Sequence, residues 1–230
     1  MRLYSGPLSM FGAKAQIAVA EKGIECVVEL VPFGFRKGYD PKHPEVLRIN
    51  PKGQVPVLVD GELEIFDSTQ IFEYLEDRFP DPALWPADPQ MRARARLLEL
   101  KSDEVFFPNI IKPMGQRTSP DSSEAVAARD AASRFYDYAE DILAVNNFVA
   151  GSYSYADIAL IMAHYFAVRL GADIEPRHRR FDRWRRDVSA RSAVQHVLAP
   201  MSSFLRGKGL EAPAFAEIPT ALASKDRNST

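Results

Sequence analysis

The sequence predicts an α/β half followed by an all-α half, and two observations carry that expectation. Over residues 1–80, short β-branched runs alternate with helical spacing in the order β-α-β, loop, β-β-α. The stretch FPDPALWPADP, with Pro80, Pro82, Pro86 and Pro89, then ends that pattern, and every later segment repeats apolar residues at three or four. The expected division is an α/β domain over 1–80, a stiff proline linker over 81–89, a helical domain over 90–207 and a loose tail over 208–230.

RLYS (Arg2–Ser5) is the first strand, ended by Gly6 and Pro7. SMFGAKAQIAVAEKG follows with Phe11, Ala15, Ala18 and Val19 on one helical face, and Gly23 is positioned to close the helix in a left-handed conformation. ECVVELV (25–31) is a second strand with β-branched Val27 and Val28. Residues 32–48 hold Pro32, Pro41 and Pro44 and read as a long loop with at most a short helix. VPVLVD and LEIFD form a hairpin about Asp60-Gly61. DSTQIFEYLEDRFP is helical, with Ile71, Tyr74, Leu75 and Phe79 in phase.

Beyond the linker, QMRARARLLELKSDEVFFPNIIKPM is expected to be one long helix bent at Pro108. SSEAVAARDAASRFYDYAEDILA is another, and SYADIALIMAHYFAVRLGA is apolar almost all round, as a buried central helix would be. Two shorter helices cover roughly 178–206. Ser154 and Asp157 make a capping box at the head of the central helix, a structural device.

Composition narrows the function classes. The chain has 230 residues, 46% hydrophobic and 26% charged, which suffices for a real core. A net charge of −2 and a pI near 6.1 imply no bulk attraction to nucleic acid or anionic membrane. The single cysteine, Cys26, excludes an internal disulfide framework, suits a reducing cytoplasm and reads as a small buried hydrophobe in the second strand. No apolar run has the length of a membrane span, and the N-terminus lacks the apolar core of a signal peptide. Asn228–Thr230 fits a glycosylation sequon and is read as chance. The histidines at 43, 164, 178 and 196 show no metal spacing, so no metal is expected. RHRRFDRWRR (177–186) could face nucleic acid or an acidic protein, but the acidic balance of the chain favours a solvated helix face.

One stretch raises a sharper question. NPKGQVPVLVDGELEIFDS (50–68) places Pro56 inside an apolar run, where a proline removes a ladder N–H. Together with LYSGPLS, DSTQIFEYLED and SYADIAL, in this order, it resembles the cytosolic glutathione transferase superfamily. The resemblance covers most of the chain. It implies a thioredoxin-like first domain with a cis Val55-Pro56 bond, glutathione docking as an added strand on the Val55 backbone, and Pro56 within the site. It also implies that Asp67 holds the α-ammonium and Ser68, at a helix N-terminus, the α-carboxylate; a plain N-cap pair is the alternative. Many relatives carry Arg where Thr69 stands. Lys42 and Gln54 are expected near the glycyl carboxylate. Ser9, at the start of the first helix, would stabilise the thiolate as in serine-type members, with Tyr4, Ser5 or backbone N–H groups near Met10 and Phe11 as alternatives.

The electrophile is expected among Phe11, Phe33, Phe35, Phe106, Phe107, Ile110 and Met114. A homodimer is implied, with Arg94, Arg96, Glu99 and Asp103 placed for charged contacts across the axis. The implied activity is conjugation of glutathione to a small electrophile. Two alternatives accompany it. LYSGP, AEKGI and EYLEDRFPDP also resemble stringent starvation protein A, a transferase-fold protein that binds RNA polymerase, which would make this chain catalytically silent. A β-etherase-like or dehalogenating enzyme would use the same glutathione site.

Overall fold

A computed structural model describes residues 1–40, 42–115, 119 and 121–216, without the side chains of 113–115. Four strands form one mixed sheet: β1 (Arg2–Ser5), β2 (Val27–Leu30), β3 (Val57–Asp60) and β4 (Leu63–Phe66). The order across the sheet is β2-β1-β3-β4. β1 runs parallel to β2, pairing Leu3 with Val28, and antiparallel to β3, pairing Leu3 with Leu58. Gly61, at a φ of 62°, makes the β3–β4 turn that Asp60-Gly61 implied. The α/β expectation holds for this half, and the rest of the described chain is helical.

The helices of the first half are α1 (Met10–Glu21), α2 (Pro44–Ile49) and α3 (Ser68–Arg78). Then come α4 (Pro89–Leu100), α5 (Phe107–Gly115), α6 (Ser123–Ile142), α7 (Tyr155–Arg169), α8 (Arg179–Ser189) and α9 (Ser192–Arg206). The long helix expected over 90–114 is distorted ahead of Pro108 and not only at it. Lys101–Phe106 is wound as a π-helix, which shifts the side-chain phase between α4 and α5.

α1 is the element shared by both halves. Ala13, Ile17 and Ala18 are fully buried, in one apolar cluster with Leu3, Phe72 and Leu75 from the first half and Ile158, Met162 and Leu198 from the second. Phe72 of α3 stacks on Tyr155 of α7 with ring centres 3.7 Å apart. Glu21 takes Arg191 bidentately at 2.7 and 2.8 Å, and Lys22 reaches Glu76 at 2.7 Å. On the other sheet face Tyr4, Val31, Val46 and Val57 form a small second core under α2.

Several expectations are refined here. Ser154 and Asp157 form the capping box, and Asp157 also receives Val149 N–H at 3.0 Å and Trp184 Nε1–H at 2.8 Å. Cys26 lies one residue before β2 and is only partly buried, because β2 is a sheet edge whose Val27 and Leu30 are exposed. The arginine run is a solvated face apart from Arg185: Phe181 and Trp184 point inward, Arg177 pairs with Asp137 and Arg186 with Asp182 on the surface, and Arg185 turns in against His164 and Phe215 while pairing with Asp173. No described helix is long and apolar enough to cross a membrane. Asn228–Thr230 and most of the expected tail lie outside the described residues.

Candidate functional site

Two adjoining cavities of about 390 and 370 Å³ open along the C-terminal edge of β1 and the N-terminus of α3. They share Phe11, Gln54 and Val55. The first is polar and holds Asn50, Lys52, Asp67 and Ser68. The second is largely apolar and holds Ser9, Tyr39, Lys42 and His43.

The Val55-Pro56 bond is cis, and Asp81-Pro82 is a second cis bond. Asn50 fixes the segment ahead of Val55 by donating from Nδ2 to the Gln54 carbonyl at 2.6 Å. The Val55 N–H and C=O take part in no hydrogen bond among the described residues and lie on the wall common to both cavities.

Asp67 carries a φ of 78°, the one positive value outside glycine among the described residues. Its Oδ1 caps α3 by accepting Thr69 N–H at 3.1 Å and Gln70 N–H at 3.3 Å. Asp67 is therefore an N-cap as well as a cavity residue, with Oδ2 free of such duty. Ser68 is buried, and its carbonyl accepts from the Tyr155 hydroxyl at 3.1 Å, which anchors the first turn of α3 on the central helix. A helix N-terminus open to a cavity is suited to an anion.

Ser9 caps α1, its Oγ accepting Gly12 N–H at 3.0 Å. An oxygen that accepts in this way keeps its own proton to donate. Phe11 and Phe107 meet edge to face at 5.6 Å and line the same cavity as Ser9.

The aromatic expectations divide. Phe11 and Phe107 line the apolar cavity. Phe106 and Ile110 do not: they are sealed in the helical core, Phe106 stacking on Phe135 at 4.6 Å. Phe107 and Ile111, four apart, share one face of α5, while Phe106 and Ile110 turn to the adjoining buried side, so Ile111 lines the cavity in place of Ile110. Phe35 packs against Phe33 and Phe204 at the edge of the main core, and neither Phe33 nor Phe35 lines a cavity. The Met114 side chain is outside the described ones.

Glu99 and Asp103, expected on a dimer surface, turn inward instead. Both clasp the fully buried Lys14 of α1, Glu99 at 2.7 Å and Asp103 more closely. Glu99 also accepts from Thr69 Oγ1 at 2.6 Å. Burial works against the Lys14 charge, but the two carboxylates raise its pKa overall. Burial pushes the Asp103 carboxyl up to about 7, against the pull of Lys14, and leaves its Oδ1 without a partner. Glu99 and Asp103 line the polar cavity, with Lys14 fully buried behind them. A lone lysine inside the apolar run GAKAQIAVA, with two acids four apart downstream, was the available signal for it. Arg96 pairs with Glu73 at 2.9 Å on the surface. Among the described residues no group of histidine, cysteine or carboxylate side chains could hold a metal.

A four-stranded mixed sheet, an unbonded backbone segment before a cis-proline and a helical second domain define a thioredoxin-like transferase fold. Residues 3–83 match the family described as glutathione S-transferase, N-terminal domain. A stringent starvation protein A homolog of Haemophilus ducreyi is 30% identical over 169 residues, 73% of this chain and 72% of the relative. A second such homolog, from Coxiella burnetii, is 38% identical over 109 residues, and the match spans 48% of that protein. The crystal structure of a glutathione S-transferase from Rhodospirillum rubrum F11 superposes with a TM-score of 0.79 at 26% identity, covering 94% of this chain and 98% of the other. The chain belongs to the glutathione transferase superfamily.

Proposed function

We propose that this protein binds glutathione across the two cavities and ionises its thiol for attack on a small electrophile. The observation that carries this reading is a row of groups left unused by the protein itself. The Val55 N–H and C=O, the open N-terminus of α3 at Ser68 and the Ser9 hydroxyl proton bound the same pair of cavities. An extended peptide pairs with Val55, its α-carboxylate meets Ser68 and the first turn of α3, and its ammonium meets Asp67 Oδ2. Lys42 and Gln54, at the other end, suit the glycyl carboxylate.

The thiol then sits beside Ser9. A hydrogen bond to a thiolate is worth roughly 1.5–3 kcal/mol, which lowers the thiol pKa by about one to two units. The thiolate attacks the electrophile in the apolar cavity, where Phe11, Phe107 and Ile111 limit water. Ser9 acts as a donor and is neither nucleophile nor base. A homodimer and a cytoplasmic location accompany this reading.

The second reading is a catalytically silent member that binds a protein partner, RNA polymerase in the first instance. The similarity to stringent starvation protein A homologs favours it. Titration calorimetry with reduced glutathione separates the two. Binding at millimolar ligand or below is expected; no heat of binding at that concentration overturns the enzyme reading.

A further inference from the structure

His43 stands at the head of α2 and lines the apolar cavity together with Ser9 and Val55. Its side chain makes no capping bond to the helix it precedes. The sheet holds it instead. Nε2 lies 3.2 Å from Glu29 Oε1, and the other Glu29 oxygen takes Arg2 at 2.7 Å. The ring rests on Tyr4 with centres 5.1 Å apart. Nδ1 is buried and has no hydrogen-bond partner among the described residues. Glu29 and Tyr4 thus fix a ring whose second nitrogen the protein itself does not use.

A buried polar atom without a partner weakens a fold, so its presence has to be accounted for. With Nε2–H donated to the Glu29 carboxylate, Nδ1 carries a lone pair. An imidazole turned by a carboxylate, with its other nitrogen bare at a cavity, is the arrangement of a general base. The charged and titratable groups about the ring are Glu29 with Arg2 behind it, Tyr4 beneath it, Lys42 beside it and Glu45 in the first turn of α2. The polar side chains of the cavity besides His43 are Ser9, Tyr39, Lys42 and Gln54. Hydroxyl, ammonium and amide groups do not take up a proton in the neutral range, whereas imidazole does.

We propose that His43 Nδ1 is the catalytic base that removes the proton of the glutathione thiol. This rests on the glutathione reading above. The S–H bond breaks, its electron pair stays on sulfur, and the proton forms an N–H bond at Nδ1. Glu29 then faces the imidazolium, and the Ser9 proton faces the thiolate. The two new charges stabilise each other, more strongly where little water enters. Once the thiolate has formed its C–S bond, the imidazolium returns its proton to water, so no oxidant or reductant enters.

The test follows thiolate and proton separately. Wild type and His43→Gln are mixed with glutathione at neutral pH. The thiolate is read by its ultraviolet band and the proton by an indicator dye in weak buffer. In wild type the thiolate should form with little proton release, because the proton stays on the protein. In His43→Gln the band should shrink about tenfold or more, and the thiolate that remains should release its proton in step. The variant's kcat with 1-chloro-2,4-dinitrobenzene should fall about tenfold to a hundredfold, with calorimetric glutathione affinity within about twofold of wild type. γ-Glutamylcysteine, which lacks the glycyl carboxylate, should show the same loss. Should His43→Gln not fold, Glu29→Gln, which leaves the imidazole in place, must show a smaller thiolate band and a lower kcat. A wild type that releases one proton per thiolate overturns the proposal, as does an unchanged band in the variants. A loss confined to glutathione and absent with γ-glutamylcysteine overturns it too and assigns His43 to the glycyl carboxylate. A wild type that binds no glutathione removes the underlying reading with it.

Discussion

Thr69 and Glu99 share a 2.6 Å hydrogen bond that fastens the first turn of α3 to the last turn of α4. The same Glu99 carboxylate holds Lys14, and Lys14 holds Asp103. Thr69 turns towards the protein, and the buried positive charge beside it arrives from α1.

Lys14→Met should be among the most damaging single substitutions in the chain. It leaves two carboxylates buried without a cation, a loss of about 3–5 kcal/mol. Changing all three charged residues together to apolar groups of similar volume should recover much of that. Urea unfolding of the two variants checks this, and equal stabilities would show that the charges act separately.

Asp103 gives the fold a pH dependence of definite sign. Its carboxyl titrates at about 7 in the folded protein and near 4 in an unfolded chain. The folded state therefore binds more protons across that interval, and stability falls as pH rises from about 4 to 7 and then levels off. Asp157, raised to about 6 chiefly by burial, adds in the same direction below pH 6. In Asp103→Asn the urea midpoint should vary less between pH 5 and 8; an unchanged slope would assign the dependence elsewhere.

Ser9→Ala carries two separable effects. Loss of the cap on Gly12 N–H should cost about 0.5–2 kcal/mol of stability. Loss of the donor to sulfur should lower turnover at neutral pH about tenfold to a hundredfold and move the kcat profile to higher pH, with glutathione affinity nearly unchanged. Coincident profiles for variant and wild type would leave Ser9 a cap only.

Ser68→Ala should weaken glutathione about tenfold or more, because a carboxylate loses a charge-assisted bond of roughly 1.5–3 kcal/mol. Calorimetry at fixed pH reads this directly. An affinity within about twofold of wild type would move carboxylate recognition to the backbone of α3.

Leu97 of α4, Tyr138 of α6 and Val145 just beyond α6 are exposed and line one shallow apolar hollow with Met91 and Ile142. Apolar side chains grouped in this way fit the expected two-fold interface better than the charged pairs first assigned to it. Light scattering should give about twice the 25.8 kDa chain mass, and Leu97→Asp should return it to one. A wild-type monomer at micromolar concentration would exclude the dimer.

Element order was legible because the two halves differ in hydrophobic period and because a proline run divides them. Pro56, Asp67 and Ser68 stood out for their positions in the chain, and the cavities do adjoin them. Phase within α5 was not legible. The π-wound segment ahead of it changes which of Phe106, Phe107, Ile110 and Ile111 face the cavity, and no local composition marks that winding. Glu99 and Asp103 misled for a related reason: on a helix read alone they look like surface charges, and only Lys14, far away in the chain, explains their burial. Tyr39 escaped notice because a loop tyrosine carries no periodic signal.

α1 belongs to the first half by sequence, yet it is wedged between the sheet and α7 and α9, with a charged residue whose counterions come from beyond the linker. The proline segment is consequently a boundary in the chain but not in its thermodynamics. Cut there, residues 1–80 would carry a naked buried ammonium and an uncovered apolar flank, and the remainder would lose the cation that neutralises its two acids. The two halves should melt in one cooperative transition, and neither should be recoverable as an independent folding unit.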